Sequence, residues 1–370
     1  MSPHDNTNHP RADSRDPRGL PVGDRLIALG WDERWSALAT GIPHPPELAL
    51  RPGRVARVNR GRIRILTHSD DLYATLHGAR TPTGSAEPVT GDWIMLDERG
   101  DLAAVLPRRT ALTRGAGRRD ARAQVLAANV DLVLVMVSLD APPNRARVDR
   151  MLAVAWESGA QPVVVLSKAD LCRTAQTERD EVAEQAPGVP VHLVSVRDGR
   201  GLNEIAGLLA PGRTVVLLGV SGVGKSSLVN ALAGTDLLAV GDTRSDGRGR
   251  HTTTSRDLVV LPGMGVLIDT PGLRGVQLWD SAEGLERTFA DVEDLAGQCR
   301  FTDCGHDNEP GCAVTAAIAD GRLDRARLAS YRKLQREVDW LRSRYDARLR
   351  AEQRRRWRNI AQTMRDRGRP

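Results

Sequence analysis

Between Asn129 and Ile268 the chain alternates short apolar runs with stretches whose apolar residues recur at helical spacing. Val130-Asp-Leu-Val-Leu-Val-Met-Val137 is a near-continuous apolar run of the kind buried on both faces of a parallel sheet. Pro162–Leu166, Val189–Val194, Thr214–Leu218 and Val266–Ile268 repeat the signal as strands. Arg147–Ser158, Ala175–Gln185, Leu202–Leu209 and Ser226–Ala233 fall between or after them as helices. Strand–helix alternation of this kind predicts a doubly wound α/β fold.

The pattern upstream has a different period. Arg54–Val58, Arg62–Leu66, Leu72–Leu76, Asp92–Leu96 and Leu102–Leu106 read as five short strands, with Gly61, Gly78, Gly91 and Gly100 marking turns. Five strands in so short a span predict a small barrel of the OB-fold type. Arg51, Arg54, Arg57, Arg60, Arg62 and Arg64 lie along its first hairpin, either as an RNA-facing stripe or as the wet face of a half-buried sheet. Leu20–Ala49 reads as a short helix and a linker. Met1–Pro21 is polar and lacks the apolar segment of a secretory signal, which predicts a disordered extension and a cytoplasmic protein. Beyond Leu285 come a helix, a Cys/His segment and a long helix whose Leu328, Tyr331, Leu334, Val338, Leu341 and Tyr345 form one apolar stripe. The expected partition is an extension over 1–49, the barrel over 50–110, the α/β unit over 111–280, a helical metal-binding unit over 281–350 and a basic tail over 351–370.

Charge sharpens this partition. Residues 321–370 carry 17 Lys and Arg against 6 Asp and Glu, a balance of +11 in a chain whose total is +6. A basic tail on a mildly acidic body points to a polyanionic partner, with RNA phosphates suiting an aromatic content of only 3%. A solvated helix face is the plainer alternative. No stretch is apolar enough to cross a bilayer, so no membrane partner is expected, and a monomer is.

Only three of the 53 basic residues are lysines, and two of them, Lys168 and Lys225, fall inside nucleotide motifs. Gly219-Val220-Ser221-Gly222-Val223-Gly224-Lys225-Ser226-Ser227 follows an apolar strand and opens a helix, the context of a phosphate-binding loop. Its backbone N–H groups and Lys225 suit GTP or GDP phosphates, and the Ser226 hydroxyl suits Mg²⁺. Asp269-Thr-Pro-Gly272 ends the last strand, with Asp269 placed to hold Mg²⁺ through water and Gly272 to sense the γ-phosphate. Between them, Gly247–Thr254 reads as a switch loop in which Thr253 or a neighbouring threonine meets the metal. Leu273 stands where a water-orienting glutamine is usual, leaving His251 as candidate for that role or as a purely structural part of the switch.

Ser167-Lys168-Ala169-Asp170 is a guanine-reading motif: the carboxylate of Asp170 accepts two hydrogen bonds that adenine cannot offer. Ser167 is shorter than the Asn or Thr usual there. Ser195 opens a loop suited to the guanine carbonyl. These base-side motifs precede the phosphate loop, the reverse of the ordinary order, so the chain has the layout of a circularly permuted GTPase. Cys299-x₄-Cys304-x-His306-x₅-Cys312 has the composition of a closed, structural Cys₃His zinc site, a catalytic thiol being the alternative.

With these motifs, Gly219–Leu228, Arg250–Ser255, Asp269–Gly272 and Cys299–Cys312, the chain resembles the ribosome small-subunit-dependent GTPase A group. The resemblance implies an OB-fold, a permuted GTPase and a zinc unit in that order. It also implies GTP hydrolysis stimulated by the 30S subunit, with rRNA as the docking surface. A non-enzymatic RNA-binding assembly factor with structural nucleotide is one competing reading. A kinase or ATPase using the same loop is another, and Asp170 argues against it.

Overall fold

The computed structural model describes residues 23–44, 49–59, 61–75, 87–114, 124–238, 256–269, 282–307 and 309–341. Two short helices, α1 (Asp24–Ala28) and α2 (Glu33–Thr40), come first. Strands β1 (Arg51–Asn59), β2 (Arg62–Leu66), β3 (Asp71–Thr75), β4 (Trp93–Leu96) and β5 (Leu102–Val105) follow, then the hairpin β6 (Ala111–Arg114) and β7 (Gln124–Ala128). The α/β part runs β8 (Leu132–Ser138), α3 (Arg145–Glu157), β9 (Gln161–Ser167), α4 (Ala175–Gln185), β10 (Val191–Leu193), α5 (Leu202–Leu208), β11 (Thr214–Leu218), α6 (Lys225–Ala233), β12 (Asp257–Val260) and β13 (Val266–Asp269). Helices α7 (Ala282–Thr288), α8 (Ala290–Ala296), α9 (Ala313–Ala319) and α10 (325–341) close the described chain.

One mixed sheet runs through the molecule in the order β10-β9-β8-β11-β13-β12-β1-β2-β3, with β4 on β1 and β5 on β4. Strands β10, β9, β8, β11 and β13 are mutually parallel, and β12 turns back antiparallel on β13. Side chains alternate along β8. Leu132, Leu134 and Met136 pack in a core with Ile205, Leu228 and Val229 of α5 and α6, while Val133 and Val135 join Leu152 of α3. Both faces are covered, which is why this strand reads as continuously apolar rather than alternating. The chain moves outward from β8 to β9 and β10, then returns to lay β11 on the other side of β8. That reversal opens the crevice in which such sheets bind ligands, beyond the carboxyl ends of β8 and β11.

All five upstream strands form as expected, and they enclose a core of Val55, Ile63, Ile65, Ile94, Leu96 and Leu102. Among the described residues β3 and β5 are free edges of an open path β3-β2-β1-β4-β5. The arginine stripe needs correction. Arg54 is 2% exposed, donates to the Leu29 and Asn129 carbonyls and the Thr214 hydroxyl, and lies over the Trp93 ring. Burial drives its pKa down to about 10. Arg57 and Arg64 are ion-paired with Asp257 and Asp71, so the hairpin is not one uniform basic face. The linker reading of Leu20–Ala49 also falls short. Trp31 and Trp35 are buried against Trp93, joining α1 and α2 to the main core. The strands β6, β7 and β12 were not expected: each is too short or too mixed in polarity to stand out.

Candidate nucleotide and metal sites

The phosphate loop follows from local geometry. β11 ends at Leu218, and Gly222 (φ 79°) and Gly224 (φ 94°) adopt left-handed conformations that turn the backbone into α6. A Cβ on Gly219 would sit 2.8 Å from the Met136 carbonyl, so only glycine lets the loop lie against β8. Lys225 Nζ donates to the Gly219 and Val220 carbonyls at 2.8 and 2.7 Å, holding the ammonium inside the loop. Ser226 and Ser227 follow in the first turn of α6, whose N-terminus faces the loop.

The base-side motif meets this loop across the sheet. Ser167, at the end of β9, donates its hydroxyl to the Val223 carbonyl at 2.6 Å and to the Val137 carbonyl at 3.2 Å. The short side chain therefore reaches and braces the phosphate loop. Lys168 has a left-handed backbone (φ 57°) and its ammonium pairs with Asp140 at 2.7 Å. That hydrogen bond, together with one from Ser138, holds the Asp140 carboxyl below its usual range. Ala169 is buried, and its N–H donates to the Val194 carbonyl. Asp170 is exposed, and the fully buried Ser195 hydroxyl donates to its Oδ1 at 2.8 Å. One carboxylate oxygen is thus anchored from within the protein. Gly201 (φ 73°) closes the Ser195 loop, where a Cβ would lie 2.1 Å from the Leu193 carbonyl.

Asp269 ends β13, and its backbone register places it opposite Asp257 of β12. Burial raises its pKa, Asp257 raises it further, and Lys225 opposes both. A half-buried carboxylate crowded by a second one is a poor resting state and a good ligand for a hard divalent cation. The oxygen donors Ser226 and Asp269 therefore fit Mg²⁺ in kind. His251, Thr252–Thr254 with Thr253, and Gly272 lie outside the described residues.

The ligand atoms of Cys299, Cys304, His306 and Cys312 all lie within 4.8 Å of one another. Cys299 Sγ and Cys312 Sγ are 3.9 Å apart, and each is 3.6 Å from His306 Nδ1. A tetrahedral zinc with ordinary bond lengths requires edges of about 3.8 Å between sulfurs and about 3.6 Å from sulfur to nitrogen. Glu309, absent from the expected site, shapes the loop by accepting the Gly305 and Asp307 N–H groups. Burial raises the Cys312 thiol, but hydrogen bonds with Thr315, His306 and Cys304 together lower it to about 6, toward the thiolate that a metal needs. Asp140 and Asp257 were also missed; neither belongs to a motif, and only the fold brings them to the site.

The RsgA GTPase family model matches residues 105–279. The "Small ribosomal subunit biogenesis GTPase RsgA" of Streptomyces avermitilis is 49% identical over 344 residues, covering 90% of each chain. Its namesake from Opitutus terrae is 44% identical over 93% of this chain and 98% of its own. Among solved structures, YjeQ from Thermotoga maritima aligns with a TM-score of 0.60 at 27% identity, over 78% of this chain and 99% of that one. YloQ, a circularly permuted GTPase, aligns at 0.58 and 24%, a likeness of fold. Sequence, motif order and sheet topology agree, and the chain belongs to the RsgA GTPase family, enzymes that hydrolyse GTP.

Proposed function

We propose that this GTPase acts in late maturation of the small (30S) ribosomal subunit in the cytoplasm, binding rRNA as a monomer and coupling GTP hydrolysis to release or a checkpoint. The names of these relatives support the process. The observation that carries the nucleotide site is the Ser167–Val223 hydrogen bond, which joins base-side and phosphate-side motifs that the permuted sequence separates.

In this reading Gly219–Gly224 N–H groups and Lys225 cradle the phosphates of GTP or GDP, with Val220, Ser221, Val223 and Ser227 shaping the loop. Asp170 reads guanine, fixed by Ser195, while Lys168 and Ala169 frame the base. Ser226, Asp269 and Thr253 hold Mg²⁺, which would neutralise charge developing on the γ-phosphate. Gly272 senses that phosphate, and His251 orients water. Cys299, Cys304, His306 and Cys312 hold one structural zinc. Strands β1–β5 act as an OB-type RNA module, and the segments 50–110, 111–280 and 281–350 are its barrel, GTPase and zinc units, with 351–370 a basic tail.

Multiple-turnover GTP hydrolysis, measured with added 30S, 50S and 70S particles, tests the proposal. Stimulation by 30S that disappears in Lys225→Ala is the expected result. Turnover indifferent to all three particles rejects it.

A further inference from the structure

Four strand pairings place five residues in one line across the sheet. Asp269 of β13 faces Asp257 of β12, Asp257 faces Arg57 of β1, Arg57 faces Arg64 of β2, and Arg64 faces Tyr73 of β3. Residues directly opposite one another project from the same face of a sheet. The row begins at the carboxylate assigned to Mg²⁺ and ends on a tyrosine that is 75% exposed. Its charges read negative, negative, positive, positive, aromatic.

The middle of the row is also the seam of the molecule. Arg57–Asp257 is the register pair that joins β1 to β12, and the Arg57 guanidinium grips the Asp257 carboxylate through both Nε and Nη2. Asp257 opens β12 directly after the stretch that holds the expected switch. On the other side Arg64 is held by Asp71 at 3.1 Å through Nε, while the Arg57 side chain keeps 44% of its exposure. An exposed arginine beside a second arginine and an open aromatic ring suits an unpaired RNA nucleotide, with its phosphate on the guanidinium and its base on Tyr73.

We propose that this row couples the nucleotide site to RNA, with Asp257 a positioning residue for Asp269 and Arg57 its exchangeable counter-charge. An RNA phosphate that takes Arg57 leaves Asp257 bare beside Asp269, and the more negative site holds Mg²⁺ more tightly. Linkage makes the effect mutual: a cation at Asp269 weakens the hold of Asp257 on Arg57 and frees it for RNA. The inference rests on the proposed role of Asp269.

The test uses the full chain with Arg57→Gln, Asp257→Asn and the double variant, each checked for an unchanged melting temperature. Two quantities are measured: the Mg²⁺ concentration that half-saturates a fluorescent GTP analogue, and the affinity for 30S subunits with that analogue against GDP. Opposite shifts in Mg²⁺ requirement are expected, lower for Arg57→Gln and higher for Asp257→Asn. The 30S preference for the GTP form should drop roughly fivefold in either single variant, with no further drop in the double. Equal weakening of both nucleotide forms in Arg57→Gln, or Mg²⁺ requirements that move in one direction, would overturn the coupling. A native protein whose 30S affinity ignores the nucleotide overturns the functional reading and the coupling with it.

Discussion

Ser195 shows how much one hydroxyl contributes to this site. It is fully buried, and its hydrogen bond anchors Oδ1 of Asp170, the residue proposed to read guanine. Removing it leaves Asp170 able to rotate without touching the phosphate loop. Ser195→Ala is therefore expected to raise KM for GTP about tenfold, the scale of one hydrogen bond to a charged group, with kcat nearly unchanged. Steady-state kinetics decides, and a fall in kcat at constant KM would show that Ser195 acts elsewhere. Ser167 illustrates the complementary point. Its short side chain suffices because the end of β9 comes close enough to the phosphate loop for 2.6 Å contact with Val223.

Between elements, a buried polar tie joins α3 to α10. Asp149 is 1% exposed and accepts from Arg327 Nη1, the Ser330 hydroxyl and Gln185 Nε2, each at 2.6 Å. Arg327 also reaches Asp291 of α8 and stacks over Phe289. Burial raises the Asp149 pKa and Arg327 opposes it, so loss of the arginine strands a carboxylate in the core. Arg327→Ala should destabilise the fold by about 3 kcal/mol, read as a shift in the urea midpoint. A loss below about 1 kcal/mol would mean that the pair is dispensable. Close packing secures α3 on its α7 side as well: a Cβ on Gly284 of α7 would meet the Ala153 carbonyl of α3 at 2.3 Å.

On the scale of the whole molecule, the Cys₃His cluster and the distribution of charge carry the predictions. The Cys₃His cluster lies between α8 and α9, and Arg332 of α10 ties its loop down through the Gly305 carbonyl and Asp307. Elemental analysis should find one zinc per chain, and Cys312→Ser should lose it. Chelation should lower the melting temperature, because binding free energy at such sites is folding free energy. The balance of +11 over residues 321–370 predicts that 30S affinity falls steeply with salt, and deletion of residues 351–370 should flatten the log–log slope. An unchanged slope would place the phosphate contacts elsewhere.

The glycine turn from β11 into α6 and the Cys₃His cluster were legible in sequence because each depends on residues close together in the chain, at spacings set by local backbone geometry. The parallel strands were legible for a related reason, since burial on both faces leaves an unbroken apolar run. Arg54 could not be read in this way: its place among the arginines of the first hairpin grouped it with an exposed stripe, and only the packing of α1 and β11 against β1 enclosed it. Asp140, Asp149 and Asp257 carry no motif, and their roles arise from partners 28, 178 and 200 residues away. Sequence alone determined which chemistry the chain carries, because that chemistry is written in contiguous loops. The tertiary structure alone decided which charges face one another, because register and helix packing bring together residues that no local rule relates.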